Sequence, residues 1–327
     1  MLLLLVAGLA LVACGGSGDT VSSSPSAMTS PSVAASPSAT PLPAPTFAGT
    51  IAFEKVVDVI DYGNGPFVDN GDLYVVRADG TGLRRLTDDP VRETDPSWSP
   101  DGRRIVYVVS RVIDGSWADP HLWVMNADGS GKRQLTKGSV YAFEPSWSPD
   151  GKQILLTGLG QGNGAVLSTG VIYVMSAEGG APKRVTRKNA ETGSWAPDGR
   201  ILFVSTGDVW IVKPDGSGLT QLTQIGNVTD FALSPDGKSL AIDNNSSSTV
   251  EVLPVRGGGA AVTVLDPIAD FVPGPYVNLV WTPDGKALAV ADAGSSGSRL
   301  YVVNADGSGL SAVAGIEDAC GPAWRPE

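Results

Sequence analysis

Trp98-Ser99-Pro100-Asp101-Gly102 returns along the chain at intervals of 38 to 49 residues. Further copies begin at Trp147, Trp195, Leu233 and Trp281, and a partial copy, Trp324-Arg-Pro-Glu327, ends the sequence. A proline that presets φ, an aspartate that bonds its own backbone and a glycine that accepts positive φ are the residues of a tight turn. A turn repeated at this interval indicates an array of similar structural units.

Each unit is predicted to hold four short antiparallel strands, as the second unit illustrates. After the turn come two apolar runs, Arg104–Ser110 and His121–Met125. The turn sequence Asn126-Ala-Asp-Gly129 then leads into a polar run, Lys132–Thr136. The second strands are apolar at consecutive positions, so both faces of each sheet must be covered. Four-stranded sheets stacked face to face at this period predict a β-propeller.

The two ends of the chain predict the number of blades. Five complete units start at Trp98, whereas the residues before it supply only strands two, three and four, beginning at Ile51, Leu73 and Leu83. Gly321–Trp324 is a first strand without a blade of its own. Pairing of the ends closes the ring and removes the edges that an open stack would expose. The predicted fold is an all-β, six-bladed β-propeller, closed by the C-terminal strand on the N-terminal blade.

The combined pattern resembles the WD40-like, PD40-type repeats of TolB-like propellers. It consists of Trp/Leu-Ser/Ala/Thr-Pro-Asp-Gly, an apolar strand, Ala-Asp-Gly and a terminal Leu-Thr, and it covers about residues 48 to 327. The resemblance implies the fold and no specific activity. TolB has a further α/β domain before its propeller, and prolyl-oligopeptidase relatives have a hydrolase domain beside theirs. Neither the Tol-system role nor peptidase chemistry is therefore transferred to this chain.

The N-terminal residues have the pattern of a bacterial lipoprotein. Residues 1–13 form an apolar run of signal-peptide length, although no Lys or Arg precedes it. Leu11-Val12-Ala13-Cys14-Gly15 resembles a lipobox, in which the cysteine becomes the lipidated N-terminus. Residues 14–46 are rich in Ser, Pro and Thr and predict a disordered tether. We therefore expect a signal peptide at 1–13, a tether at 14–46 and a propeller at 47–327, on the extracytoplasmic side of a bacterial membrane.

Charge and residue content disfavour several classes of function. The 34 acidic and 23 basic residues give a net charge of −11, which disfavours nucleic acid and anionic lipid as partners. The single histidine, His121, removes most metal and triad arrangements, and no Gly-x-Ser-x-Gly elbow is present. If Cys14 is lipidated, Cys320 is expected to be a buried lone thiol. No cofactor is predicted.

A polar column three residues before each repeated Trp or Leu is the first candidate site. It comprises Asp95, Glu144, Thr192, Asp230, Asn278 and Gly321. In a propeller this position is the entry of the innermost strand, at the mouth of the central channel. Clustered carboxylates favour a positive charge, so the expected ligand is a cation or a basic group of a partner, and metal binding is left open. The alternative is a solvated rim whose acids satisfy nearby backbone groups.

Long loops on the same face are the second candidate site. They cover Val59–Asp72, Ser110–Pro120 and Asp266–Asn278. Loops on a rigid scaffold often carry binding residues, and aromatic groups suit a contact surface. The candidate residues are Asp61, Tyr62, Asp69, Arg111, Trp117, Tyr141 and Tyr276. The alternative is that they fold back over the tops of the blades.

These patterns predict a monomeric lipoprotein whose propeller binds a protein, peptide or glycan through the channel mouth and long loops. The competing hypothesis is a hydrolase or lyase of envelope or extracellular polymers, with the mouth carboxylates as acid and base. The third hypothesis is a spacer without a specific ligand. Raised pKa values around a closed pocket would favour the enzyme, and a flat, aromatic-rich face would favour binding. No catalytic residue is assigned.

Overall fold

The computed structural model describes residues 48–326 with short gaps, and this part of the chain is built from strands and turns. The gaps are residues 62–65, 114–115, 138–139, 163–164, 167–169, 248, 256–259, 266–277, 293–298 and 318. The strands form six sheets, which confirms the predicted all-β, six-bladed architecture. Among the described residues we find no helix long and apolar enough to cross a membrane. The predicted signal peptide and tether lie outside the described residues.

Each blade has four antiparallel strands, numbered here in chain order and given from the channel outwards. Blade one comprises β25 (Ala319–Trp324), β1 (Thr50–Asp61), β2 (Pro66–Arg77) and β3 (Arg84–Arg85). Blade two comprises β4 (Arg92–Trp98), β5 (Arg104–Ile113), β6 (Ser116–Asn126) and β7 (Arg133–Gln134). Blade three comprises β8 (Val140–Trp147), β9 (Gln153–Gly162), β11 (Val171–Ser176) and β12 (Lys183–Arg184), with β10 (Ala165–Val166) on the end of β9.

The remaining blades are more regular. Blade four comprises β13 (Gly193–Trp195), β14 (Ile201–Ser205), β15 (Asp208–Val212) and β16 (Thr220–Gln221). Blade five comprises β17 (Val228–Leu233), β18 (Ser239–Asn244), β19 (Thr249–Pro254) and β20 (Val262–Leu265). Blade six comprises β21 (Asn278–Trp281), β22 (Ala287–Asp292), β23 (Arg299–Asn304) and β24 (Ser311–Glu317).

The ring is closed inside blade one, whose innermost strand comes from the C-terminus. β25 pairs antiparallel with β1, as the sequence predicted. The backbone N–H of Arg325 donates to the carbonyl oxygen of Thr50 at 2.8 Å, and in blade two Ser99 makes the same bond to Arg104 at 2.9 Å. The two ends of the described chain therefore meet where the other blades have their repeated turn.

The repeated motif is a structural turn, as expected. The Ser99 hydroxyl donates to Asp101 Oδ1 at 2.6 Å, and the same oxygen accepts the Arg103 backbone N–H at 3.1 Å. Gly102 has a φ of 62° and donates its N–H to the Ser99 carbonyl at 2.8 Å. Equivalent hydroxyl–carboxylate bonds join Ser148 to Asp150, Ser234 to Asp236 and Thr282 to Asp284. The repeated aspartates thus accept hydrogen bonds within their own turns.

Apolar side chains fill the space between neighbouring blades. One core lies at each of the six blade junctions. At the first junction Trp98 packs with Ile105 of its own blade and with Ala52 and Leu73 of blade one. The repeated tryptophans are 5% to 8% exposed. Truncation of such an aromatic side chain to alanine typically costs about 3–5 kcal/mol, so these cores hold the ring rigid around its channel.

Candidate functional site

The polar column converges on the central channel and links neighbouring blades. Except between blades four and five, the innermost strands of adjacent blades pack closely against one another around this channel. The contacts run from Asp95 Oδ2 to the Glu144 N–H at 3.4 Å, from Asp230 Oδ2 to the Leu279 N–H at 3.0 Å, and from Asn278 Oδ1 to the Gly321 N–H at 3.2 Å. In each case a side-chain oxygen accepts a hydrogen bond from the backbone of the next blade. The column therefore satisfies backbone groups, which is one part of the alternative interpretation, while lining the channel.

Two of these acids lie on bulges that turn them out of the strand ladder. Asp95 and Glu144 have φ values of 51° and 48°, each precedes a proline, and the strand register shifts at both positions. A bulge re-aims its side chain, and positive φ is strained for a residue with a Cβ. Blade one has Gly321 at the same position with a φ of 55°. Blades one to three thus share one backbone irregularity at the channel.

Desolvation in the channel raises the pKa values of the column acids. Burial is the largest cause of the rise in the pKa of Glu144 to about 8, and the charges of Asp95 and Asp230 add to it. Hydrogen bonds from Thr192 and from Thr157 Oγ1, the latter at 3.2 Å, oppose the rise. Burial likewise raises the pKa of Asp230 to about 7 and raises that of Asp95. Glu144 is therefore largely protonated at neutral pH.

A buried ion pair beside the column was not predicted from the sequence. Arg92 Nε and Nη2 both lie 2.8 Å from Glu54 Oε1, and both residues are at most 3% exposed. The pair joins the second strand of blade one to the first strand of blade two. Burial raises the pKa of Glu54, whereas Arg92 lowers it and Asp95 raises it further. The glutamate inside an apolar strand was a sequence signal for this pair, because a buried charge requires a partner of opposite charge.

Two other buried acids were also missed. Asp243 occupies in blade five the place of Glu54 in blade one, and it accepts a hydrogen bond from Thr229 Oγ1. Glu93 lies at the junction of blades one and two and accepts from Thr87 Oγ1 at 3.2 Å. Burial, together with the charge of Asp72, raises the pKa of Glu93 to about 8. The described part of the ring thus contains more buried acids than the column alone.

No metal site is assembled by these acids. Within the described ranges, no three or more His, Cys, Asp or Glu side chains are placed to hold one ion. The column carboxylates bond to the backbones of different blades instead of meeting at one point. His121 contacts Asp119 Oδ1 through Nε2 at 3.1 Å and Thr136 Oγ1 through Nδ1 at 3.4 Å. The histidine is thus engaged on its own blade.

Of the seven predicted loop residues, the structure describes the side chains of two. Arg111 is exposed opposite Ala118, and Tyr141 is half-buried opposite Leu159. The backbone places Asp61 in β1, Asp69 in β2 and Trp117 in β6. Tyr62 and Tyr276 lie outside the described residues, as does Cys14.

The hairpins between second and third strands form a raised edge on blades one to three, which we call the hairpin wall. Counted from Ile51, Ile105 and Ile154, the second strands of these blades run for eleven, nine and nine residues. The equivalent strand of blade four runs for five residues from Ile201. An excess of four to six residues corresponds to about 13–20 Å at ~3.3 Å per residue. The channel mouth is therefore bordered on one side by a wall of hairpins.

The opposite end of the channel opens at the face of the repeated turns. A depression of about 380 Å³ lies there. It is lined by Ser97, Trp98, Pro100, Ser146, Trp147, Pro149, Trp195, Pro197, Leu233, Ser234, Pro235 and Pro326. We call it the turn-face depression. It does not enclose the column acids.

Cys320 is disulfide-bonded and 5% exposed, so the expectation of a lone thiol is wrong. The sequence contains one other cysteine, Cys14, which lies outside the described residues. A thioether-linked lipid on Cys14 and a disulfide between the two cysteines exclude each other within one chain. The two states differ in mass and in their response to reductant.

Comparison with known proteins identifies the repeat and the fold. A family model of the TolB β-propeller domain, PD40, matches residues 67–171. TolB from Acinetobacter baumannii superposes with a TM-score of 0.66 at 20% identity, over 85% of this chain and 67% of that one. The protein assigned as TolB of Agrobacterium tumefaciens gives 0.58 at 16% identity, over 85% and 92% of the two chains.

The same architecture recurs outside TolB. A chain from a nidogen–laminin complex gives a TM-score of 0.63 at 11% identity, over 85% of this chain and 98% of that one. No curated protein matches the sequence at a significant level. Identities this low establish the fold alone. The described chain is a six-bladed β-propeller similar in fold to TolB, and its residues 67–171 match the PD40 family model.

Proposed function

We propose that the propeller is a binding module for a protein or peptide partner that presents a basic group at the channel mouth. The observation that carries this proposal is the hairpin wall beside a channel lined by Asp95, Glu144 and Asp230. A wall on one side of a recessed acidic opening gives a concave, one-sided surface. Such a surface is large enough for a macromolecule, because the wall covers three adjacent blades.

The carboxyl groups of the channel favour a basic group over a neutral ligand. Burial holds the pKa values of Glu144 and Asp230 near neutrality, so an incoming ammonium or guanidinium group would promote their ionisation. The net charge of −11 would steer a basic partner toward the protein. A peptide or protein supplies Lys, Arg or an N-terminal amine, whereas a neutral glycan, the other ligand considered, does not.

Photo-cross-linking from the two faces tests the proposed surface. A photoreactive amino acid replaces Arg111, which is exposed beside the hairpin wall, or Lys152, which is exposed in a turn on the opposite face. We expect discrete adducts from position 111 in cells that produce the full chain, and weaker adducts after Asp230→Asn. Adducts from position 152 alone, or from neither position, would contradict the proposal.

We further propose that a lipid on Cys14 anchors the chain at a bacterial envelope, a state in which Cys14 is not the disulfide partner of Cys320. The apolar run at 1–13 and the lipobox-like Leu11–Gly15 support this. Mass spectrometry of the purified protein is expected to find a diacylglyceryl thioether at Cys14, and Cys14→Ser should release the protein from membranes. A reducible peptide link between Cys14 and Cys320 would instead show that the cysteine is used in a disulfide.

An enzyme remains the second candidate, because one of its predicted signs is observed. Glu144 has a pKa of about 8 and can hold a transferable proton near neutral pH. Its proton would serve as a general acid if a polymer entered the channel mouth. Hydrolysis or elimination of an envelope polymer that is lost in Glu144→Gln, with binding retained, would establish this function. Binding without turnover would exclude it for that polymer.

A further inference from the structure

The turn-face depression has a lining chemistry that differs from the rest of this acidic molecule. Its lining residues are tryptophan, proline, serine and one leucine, without a charged side chain. Trp98, Trp147 and Trp195 contribute the small part of each indole that is exposed, 5% to 8% of the residue, and five prolines, Pro100, Pro149, Pro197, Pro235 and Pro326, stand around them. Grooves of aromatic and proline rings recognise polyproline II segments, whose conformation is largely fixed before binding. The expected occupant is an uncharged, proline-rich chain.

The start of the described chain lies at the edge of this depression. Thr50 accepts the backbone N–H of Arg325 at 2.8 Å, and the next residue, Pro326, lines the depression. The described chain therefore starts at the turn face and not at the hairpin wall. Five residues span at most about 17 Å, so the segment that ends at Pro45 is within reach of the lining.

The sequence of that preceding segment matches the lining. Thr40-Pro41-Leu42-Pro43-Ala44-Pro45-Thr46 has three prolines at alternate positions and no charge. We propose that Pro41–Pro45 docks in the turn-face depression as a polyproline II segment, with its rings against Trp98 and Trp147. Hydroxyls of two of the three lining serines, Ser97 and Ser146, are suited to donate hydrogen bonds to its carbonyl oxygens.

Cross-linking within the full chain locates the segment. A photoreactive phenylalanine analogue replaces Leu42, and a matched control replaces Val33, which lies in the same kind of sequence farther from the propeller. We expect position 42 to cross-link within one molecule to peptides that contain Trp98–Pro100 or Trp147–Pro149, and position 33 to give several weak products. Cross-links from position 42 to the hairpin wall would overturn the proposal. So would cross-links between isotopically distinct copies, which would identify a second chain as the occupant.

Fluorine NMR of 5-fluorotryptophan-labelled full chain gives an independent readout. Replacing Pro41, Pro43 and Pro45 by serine is expected to shift the resonances of Trp98 and Trp147, which line the depression. The resonance of Trp281, which is not part of that lining, should stay in place. The control chain carries serine at Pro25, Pro31 and Pro37 and should leave all of them unchanged. Identical spectra for the wild type and both triple variants would exclude docking even if the cross-linking were ambiguous.

Discussion

The indole Nε1 of Trp281 donates a hydrogen bond to the carbonyl oxygen of Ala232 in the preceding blade, at 2.9 Å. The same bond joins Trp98 to Ala323, Trp147 to Ser97 and Trp195 to Ser146. It is missing at Leu233, which has no donor, and at Trp324, whose buried Nε1 has no hydrogen-bond partner in the described structure. Four of the six blade junctions are thus joined through an indole.

This difference predicts unequal effects of two matched substitutions. Trp281→Phe and Trp324→Phe remove the same atoms from side chains that are 5% and 6% exposed. The first breaks the hydrogen bond to the Ala232 carbonyl, whereas the second removes an unpaired N–H. We expect Trp281→Phe to be more destabilising by about 1–3 kcal/mol in urea unfolding. Equal losses would show that ring volume, and not the indole bond, determines the cost.

Removal of the closing strand should destabilise the whole ring. Deletion of residues 319–327 takes β25 from blade one, exposes the edge of β1 and opens the core that contains Trp324. We expect a marked fall in melting temperature and a broad transition in calorimetry. Deletion of residues 325–327 alone keeps the strand and should cost much less. An unchanged melting temperature after the longer deletion would contradict the closure of the ring by this strand.

Removing one partner of the buried Arg92–Glu54 pair should lower the free energy of unfolding more than replacing both partners. Arg92→Leu leaves an uncompensated buried carboxylate, so we expect a loss of about 3–5 kcal/mol at pH 7.5. The double variant Arg92→Leu, Glu54→Leu should recover most of that loss. Lys152→Ala, which breaks an exposed pair with Asp150, should change the free energy of unfolding by less than about 1 kcal/mol. A double variant no better than Arg92→Leu would contradict this account.

The raised pKa of Glu144 should make the free energy of unfolding fall as the pH rises, because the folded chain favours the protonated form. Its pKa is raised from 4.5 to about 8 in the folded chain, so between these values the native state binds the extra proton and unfolding releases it. Stability from this residue is therefore greatest below pH 4.5 and declines up to about pH 8. Glu144→Gln removes the titration, and its stability relative to the wild type should rise across pH 5–8 by at most about 1.4 kcal/mol per unit.

Asp236→Asn is the control for this pH series. Hydrogen bonds, chiefly from the Ser234 hydroxyl, lower the pKa of Asp236 to about 2. Its contribution to stability is present above the ordinary value of 3.8 and is lost only as the pH falls toward 2. Between pH 5 and 8 the difference between this variant and the wild type should therefore be constant. Parallel pH profiles for Glu144→Gln and the wild type would show that Glu144 does not titrate in this range.

The fold could be predicted from the sequence because it depends on local interactions. The site could be predicted only in part because it depends on contacts between blades. The turn at Ser99–Gly102 and the unmatched strand at Gly321–Trp324 gave the blades and their closure, because turn geometry and strand pairing depend on nearby residues. The polar column was found by aligning repeats. The hydrogen bonds from this column to the next blade were not predicted, because Asp95 contacts Glu144 only once the blades are assembled. Arg92 and Glu54 were missed for the same reason.

The meeting of the chain ends at a turn has a consequence for the connectivity of the ring. Gly49 accepts the Ala78 N–H at 3.1 Å, as Arg103 accepts that of Ala127 at 2.8 Å, so Gly49 stands at the position of Arg103. Pro326 stands at that of Pro100. Two residues separate these positions in blade two, so an Asp-Gly joint from Pro326 to Gly49 would complete a sixth turn. New termini could then be cut at any of the other five turns, giving circular permutants with the same blades and channel.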